Sequence, residues 1–347
     1  MTDDRKRLWI LGASDPEMEL IEELLREAGE QVRYAAIGDR RIIHDQAYRM
    51  DPISEPLPWG GQVILVECDH SSPWPLDAKD EAMPYRLIQR NGVHDEDATD
   101  EDYLRIYRVD HHRPGDPGYG RPPSEFMPAS SVGQVIELLA LYGLLPADWR
   151  RADFRTGYGP GGSLYLERGA KAKWAVVEFN PEDDVWSWVT YVPDTFVLAA
   201  AADHCLAAAY RGECPGVDPD KLMSWRIRTR AAHQGRPEAD VRKDVERARE
   251  ILRRAPRIKL DPQREDTYMA DLSGVEGLIP ELPEAAARDG VCFIALAPPS
   301  PDGRVKVVCQ SGTPEQIRAF MEVWAPYYGL RDIYGDPARG FAGGYRA

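Results

Sequence analysis

Cysteine is sparse in this 347-residue chain, and its five copies (Cys68, Cys205, Cys214, Cys292, Cys309) include no Cys-x-x-Cys pair. An odd number without that spacing argues against both a disulfide framework and a zinc ribbon, and points to reduced thiols in a cytoplasmic protein. Positive charge is also in short supply: 43 bases face 58 acids, a net charge of −15. Because binding to long nucleic acid depends on neutralising phosphates, this balance excludes a general nucleic-acid coat. It leaves room for a small phosphorylated substrate or a short oligonucleotide in a locally positive cleft. No apolar run approaches the roughly 20 residues a membrane helix needs. The start, Met1 to Arg7, leads into a short strand and not into a signal-peptide core, so a soluble protein with no membrane partner is expected. No internal repeat is visible.

What is present is an alternation of short apolar strands and amphipathic helices. Residues 7–12, 31–36, 62–67 and 104–109 read as strands, and 16–28 reads as a helix with Met18, Ile21, Leu24 and Leu25 on one face. Such alternation predicts an α/β fold, a mostly parallel doubly wound sheet with right-handed crossovers. Sites in such sheets lie beyond the carboxyl ends of the strands. Residues 163–192 break the pattern with three antiparallel strands around the turn Asn180–Asp184, a β insertion able to wall a cleft or form an oligomer contact such as a homodimer's. The acidic run 91–102 reads as a solvated loop. Residues 218–262 are helical and Arg-rich, and 263–347 form a smaller α/β unit. The expected organisation is a first domain over 1–217, a helical linker over 218–262 and a second domain over 263–347.

The most informative stretch is Arg108-Val109-Asp110-His111-His112-Arg113, at the end of an apolar run. One carboxylate and two imidazoles at a strand end suit Mn²⁺, Fe²⁺ or Zn²⁺, and carboxylates also suit Mg²⁺. About twenty residues on, Pro128-Ala129-Ser130-Ser131 opens an amphipathic helix with a serine cap. Strand, Asp-His-His, loop and Ala-Ser-Ser at a helix start resemble the DHH phosphoesterase superfamily, which includes RecJ-like exonucleases, oligoribonucleases and family II pyrophosphatases. Its further acidic motifs have counterparts here in the right order. Val63-Ile64-Leu65-Val66 leads to Glu67, with Asp69 as the alternative, and the strand-like apolar run from Phe196 ends at Asp203. The first motif departs from the family: Ala13-Ser14-Asp15-Pro16-Glu17-Met18-Glu19 keeps the proline, carries glutamate for aspartate and has alanine in place of histidine. The same segment also reads as a helix start, with Ser14 as cap and Glu17 as its capping-box partner.

The resemblance implies a metal-dependent phosphoesterase hydrolysing a phosphate ester of a nucleotide or short oligonucleotide, with one or two Mn²⁺ or Mg²⁺ ions. It implies metal contacts from Glu17, Glu19, Glu67 or Asp69, Asp110, His111 and Asp203, with Asp110 orienting as well. His112 and Asp110 would act on the reacting phosphate, and Arg113 would bind it. With Ala13 unable to serve as a ligand, His204 or His70 is an alternative nitrogen. The ending Arg339-Gly340-Phe341-Ala342-Gly343-Gly344-Tyr345 resembles the glycine-rich loop of a DHHA1-type second domain, which makes Arg339, Gly343 and Gly344 candidate substrate contacts. The alternative is a non-hydrolytic DHH-like protein that binds a nucleotide or regulates through a degenerate metal site.

Overall fold

The computed structural model describes residues 6–53, 56–69, 85–89, 99–149, 151–153, 164–167, 173–179, 186–275, 280–297 and 304–346. The turn at 180–184, His70 and residues 91–98 of the acidic run lie outside them. The chain is mixed α/β and forms two compact units, residues 1–119 with 127–200 and residues 120–126 with 201–347.

The first unit opens with β1 (Arg7–Leu11), α1 (Pro16–Glu27), β2 (Gln31–Tyr34), and the two-residue strands β3 (Ala36–Ile37) and β4 (Arg40–Arg41). It continues through β5 (Gln62–Val66), β6 (Tyr85–Gln89), β7 (Tyr103–Val109), the short α2 (Phe126–Ala129) and α3 (Ser131–Tyr142). Its main sheet has the order β2-β1-β5-β7-β6. The first four strands are parallel, and β6 runs antiparallel at the edge. β5 is buried along its whole length, as a central parallel strand covered on both faces must be. Leu8, Ile10, Val63, Leu65, Leu104 and Ile106 point to one face, and there Ala35, Ile42 and Met50 complete the cluster. Among the described residues, that face is covered by residues from 35–53 and 57–59, which include a 3-10 turn at His44–Gln46 but no α-helix.

The two long helices of this unit, α1 and α3, start where the sequence offers an acceptor. The cap of α1 is Asp15, whose carboxylate accepts from the Met18 amide; the sequence reading gave that role to Ser14. Ser130 caps α3 through the Gly133 amide, and Gly143 ends the helix in the left-handed region at φ 68°. An antiparallel sheet, β8-β11-β10-β9, follows, built from β8 (Arg151–Asp153), β9 (Leu164–Glu167), β10 (Lys173–Phe179) and β11 (Trp186–Tyr191). The expected β insertion is therefore present, with β8 as an additional strand.

α4 (Asp194–Tyr210) carries the chain into the second unit. The apolar run before Asp203 is thus helical and not strand-like: four consecutive alanines strongly favour helix, and Asp194 sits in its first turn. The second unit then contains α5 (Pro219–Gln234), α6 (Glu238–Arg254), β12 (Arg257–Lys259), β13 (Tyr268–Asp271), α7 (Leu282–Asp289), β14 (Phe293–Leu296) and β15 (Val305–Gln310). It ends with α8 (Pro314–Ala319), a π-helical turn at Phe320–Trp324, α9 (Ala325–Tyr327), β16 (Arg331–Asp336) and β17 (Phe341–Arg346). The six-stranded sheet has the order β12-β13-β14-β15-β17-β16. On one face Phe293 and Ala295 meet Val245, Ala248 and Leu252 of α6 and Ala285 of α7. On the other, Cys292, Ile294, Val307 and Cys309 meet Phe320 and Trp324. The segment 218–262, expected as a linker, belongs to this core. No described helix is long and apolar enough to cross a membrane, and all five cysteines are buried and free.

Candidate metal centre

Three neighbouring backbone segments build the site at the carboxyl ends of β1, β5 and β7. Beyond the strands their pairing continues: the Gly12 amide donates to Val66 O at 2.9 Å, and the Glu67 amide to Val109 O at 2.9 Å. The approach is so close that a Cβ on Gly12 would stand 2.5 Å from Glu67 O. Glu67 itself has φ 51°, a left-handed conformation that a glutamate rarely adopts and that turns its side chain off the strand. Its side chain is buried, and Oε1 lies 3.9 Å from His111 Nε2.

The Asp110-His111-His112 run is fixed by its neighbours. Asp110 and His111 are fully buried. Gln134 of α3 donates to the carbonyls of Asp110 (3.1 Å) and Ala129 (2.9 Å), tying the strand end to the helix start. Gly118 donates its amide to Asp110 O at 3.1 Å, and it is glycine for a steric reason. A Cβ there would lie 1.9 Å from Ala129 O and 2.7 Å from the His111 Cβ.

The Asp110 carboxylate does not point at the other acids. Oδ1 accepts from the backbone amides of His111 (2.7 Å) and His112 (3.1 Å) and stands 2.7 Å from His112 Nδ1, and Oδ2 accepts from the Tyr48 hydroxyl at 2.8 Å. Burial alone would raise its pKa, but hydrogen bonding to His112, the nearby imidazoles and Tyr48 hold it below the usual carboxylate range. An ionised carboxylate beside Nδ1 keeps the proton of a neutral imidazole on that nitrogen, so the ring carries its lone pair on Nε2. Burial and the Asp110 charge push the Tyr48 hydroxyl far above its ordinary value, so it remains a donor.

Glu67, His111 and His112 each offer a ligand atom, and these atoms lie within 4.8 Å of one another. Two ligands on opposite sides of one ion, each about 2.1 Å from it, are about 4.2 Å apart. The set is close enough that a single divalent ion could be held once the ligand atoms draw in by about half an ångström. The carboxylate behind His112 Nδ1 is the arrangement that orients metal-binding histidines.

The other expected site residues have different partners. Glu17 is buried, and its Oε1 accepts from the Val132 amide at 3.0 Å; it satisfies an unpaired donor in the first turn of α3 and does not join the cluster. Glu19 is exposed, with Ser14 Oγ 3.4 Å from its Oε1. Asp69 pairs with Arg108, which also reaches Asp116 at 3.2 Å. Asp116 in turn accepts from the Arg113 amide at 2.7 Å. Arg113 is exposed, and its guanidinium carbon lies 3.2 Å from the centre of the Tyr48 ring.

In the second unit, α4 is broken at Cys205 (φ −153°, ψ 49°), and beside the break Arg339 donates to the carbonyls of His204 (2.9 Å) and Asp203 (3.1 Å). His204 is buried, with Nε2 3.3 Å from Arg121 O. A cavity of about 190 Å³ in this unit is lined by Asp203, His204, Gln310, Ser311, Arg339 and Phe341, among others. Gly343 and Gly344 do not form a loop. They are internal to β17, paired with Val308 and Val307, and a Cβ on Gly343 would lie 2.6 Å from Cζ of the Tyr334 ring. The cross-strand aromatic covers the glycine, which is why that position has no side chain.

Tyr48, Gln134 and Gly118 were not found by sequence reasoning. Only Gln134 carried a signal, as a polar residue in an otherwise apolar helix start. No protein-family model matches this chain, and neither does any curated protein or solved structure.

Proposed function

We propose that the chain is a divalent-metal-dependent phosphoesterase, built on a doubly wound DHH-like scaffold and acting on a phosphate ester of a nucleotide or short oligonucleotide. The observation that carries the reading is the gathering of Glu67, His111 and His112 at the ends of adjacent parallel strands, with Asp110 behind His112. Glu67 and His111 would hold Mn²⁺ or Mg²⁺, and His112 would join them or face the substrate. The ligand role the sequence assigns to Asp203 is a proposal of the same kind. A bound ion would lower the pKa of water and offset charge on the phosphate. The residues themselves supply the rest. Asp110 fixes the ring of His112 with Nε2 as its basic nitrogen, and Arg113 offers a planar array of donors to phosphate oxygens.

The test is calorimetric titration of the full-length protein with Mn²⁺, together with turnover on a panel of phosphomonoesters, phosphodiesters and short oligonucleotides. Wild type should bind Mn²⁺ and hydrolyse at least one class, and a His111→Ala, Asp203→Ala variant should do neither. Equal Mn²⁺ affinity in the two proteins rejects the reading. The position of Glu17 on the Val132 amide favours a second reading, a non-hydrolytic binding protein, because it commits one oxygen of that carboxylate to the backbone and not to a second ion. That reading is supported if Mn²⁺ binds at one site and the protein takes up a nucleotide without turning it over.

A further inference from the structure

We infer that Tyr48 is the positioning residue of this centre, setting His112 through its hydroxyl and Arg113 through its ring. The inference rests on the proposed phosphoesterase reading only for what the two positioned groups act on. Tyr48 lies just after a short 3-10 turn at His44–Gln46, in a segment that has no motif. Its backbone is held by the extension of β5: the Asp69 amide donates to Ala47 O at 2.8 Å, and the Met50 amide to Asp69 O at 3.3 Å. The Met50 side chain is sunk in the core beneath the sheet, 1% exposed. Tyr48 therefore enters the site from a clamped segment.

Two separate contacts leave this side chain. The hydroxyl donates to Asp110 Oδ2 at 2.8 Å, while Oδ1 of the same carboxylate stands 2.7 Å from His112 Nδ1. Oδ1 is anchored by the two backbone amides and His112, and the phenol holds Oδ2, so the hydroxyl sets the rotation of the carboxylate about that anchor and with it the direction of the acceptor that His112 meets. The face of the ring carries the Arg113 guanidinium, 3.2 Å from its centre. A guanidinium held over an aromatic face by its carbon leaves N–H donors at its edge available to the oxygens of a phosphate group. One residue thus couples the two groups that follow His111 in sequence, although it stands 62 residues before Asp110.

The hydroxyl and the ring can be separated by substitution. Tyr48→Phe removes only the hydroxyl, and Tyr48→Leu removes both contacts. With full-length protein, Mn²⁺ and bis(p-nitrophenyl) phosphate, Tyr48→Phe should lower kcat about tenfold or more with KM nearly unchanged, the signature of a misaligned group. Tyr48→Leu should show the same loss in kcat and also a KM raised to that of Arg113→Ala. In an Arg113→Ala background, the two Tyr48 variants should share one KM. Independently of turnover, nitrogen-15 spectra of the imidazoles in metal-free protein should show a low-field proton on His112 Nδ1 that moves upfield in Tyr48→Phe, with thermal stability held. Tyr48→Lys would not serve, because it adds a charge. If the Nδ1 proton is unmoved by Tyr48→Phe, or if the Phe and Leu variants have equal KM, the inference is overturned. If wild type hydrolyses nothing while the His112 signal still responds, the phosphoesterase reading fails and the positioning role stands.

Discussion

Removing the side chain of Glu67 should make the metal-free protein more stable and the metal-loaded protein less stable. Glu67 is the non-glycine residue held at φ 51° where β5 ends, with its side chain turned toward His111. An L-residue in this region costs roughly 1–2 kcal/mol. Glycine relieves that strain but adds about 0.4–1 kcal/mol of unfolded-state entropy. The net expectation for Glu67→Gly in EDTA is a gain of about 0.5–1 kcal/mol, a rise in Tm of about 1–4 °C. Glu67→Gln keeps the backbone strain and the side-chain packing and removes only the charge, so it separates the charge from the combined effect of strain, chain entropy and packing read by Glu67→Gly. Adding Mn²⁺ at a hundred times its dissociation constant should stabilise wild type by about 2.7 kcal/mol. Both variants should gain much less, so the melting curves of wild type and Glu67→Gly cross between the two conditions. Differential scanning calorimetry with EDTA and then with Mn²⁺ reads this directly. A Glu67→Gly protein that melts below wild type in EDTA refutes the strain argument. One that gains as much from Mn²⁺ as wild type refutes the ligand role.

Gly118→Ala should cost about 3 kcal/mol or more in urea unfolding and weaken Mn²⁺ binding, because its methyl meets Ala129 O at 1.9 Å and the His111 Cβ at 2.7 Å. Arg339→Ala should lower the stability of the second unit by about 2–4 kcal/mol, since it strips a charged donor from two carbonyls at the α4 break; an unchanged melting profile would mean that these two bonds do not hold the break. Asp110 has a folded pKa below its unfolded value near ~3.9, so its stabilising contribution is complete above that value and is lost as pH falls through the folded one. In EDTA, the stability difference between wild type and Asp110→Asn should therefore be constant near neutrality and shrink below about pH 4. A difference that persists unchanged into acid would mean that the carboxylate is not selectively stabilised in its ionised form.

The parts of the fold legible in the sequence were those with a strong period. The apolar strands at β1, β5 and β7 and the amphipathic α1 and α3 stand where the pattern puts them, because buried parallel strands leave almost no choice of residue. The misreadings have particular causes. The run before Asp203 is apolar without a period, and only its alanine content distinguishes helix from strand. Gly343 and Gly344 read as a loop because glycine usually marks one. Their strand is held by Tyr334 folded across Gly343, a cross-strand contact with no signature along the chain.

The candidate site divides in the same way. Glu67 and Asp110-His111-His112 are legible because strand ends in a parallel sheet converge, so position alone brings them together. The first motif is not, because an acid just inside a helix serves equally as a ligand or as a partner for backbone amides. Here the second use prevails. Asp15 occupies the Met18 amide, and Glu17 reaches 115 residues along the chain to the Val132 amide. With Ala13 offering no ligand, the described first unit retains one carboxylate and two imidazoles close enough for a single ion. Two-ion hydrolysis relies on a second cation beside the leaving oxygen. On the proposed phosphoesterase reading a one-ion centre would have to meet that charge with protein groups, and the cationic group we propose for it is Arg113, held on the ring of Tyr48. On that reading, an acid engaged with backbone at the first motif and the clamped Tyr48–Arg113 pair would be two parts of one chemical solution, in which fixed donors from the chain do part of the work of a second ion.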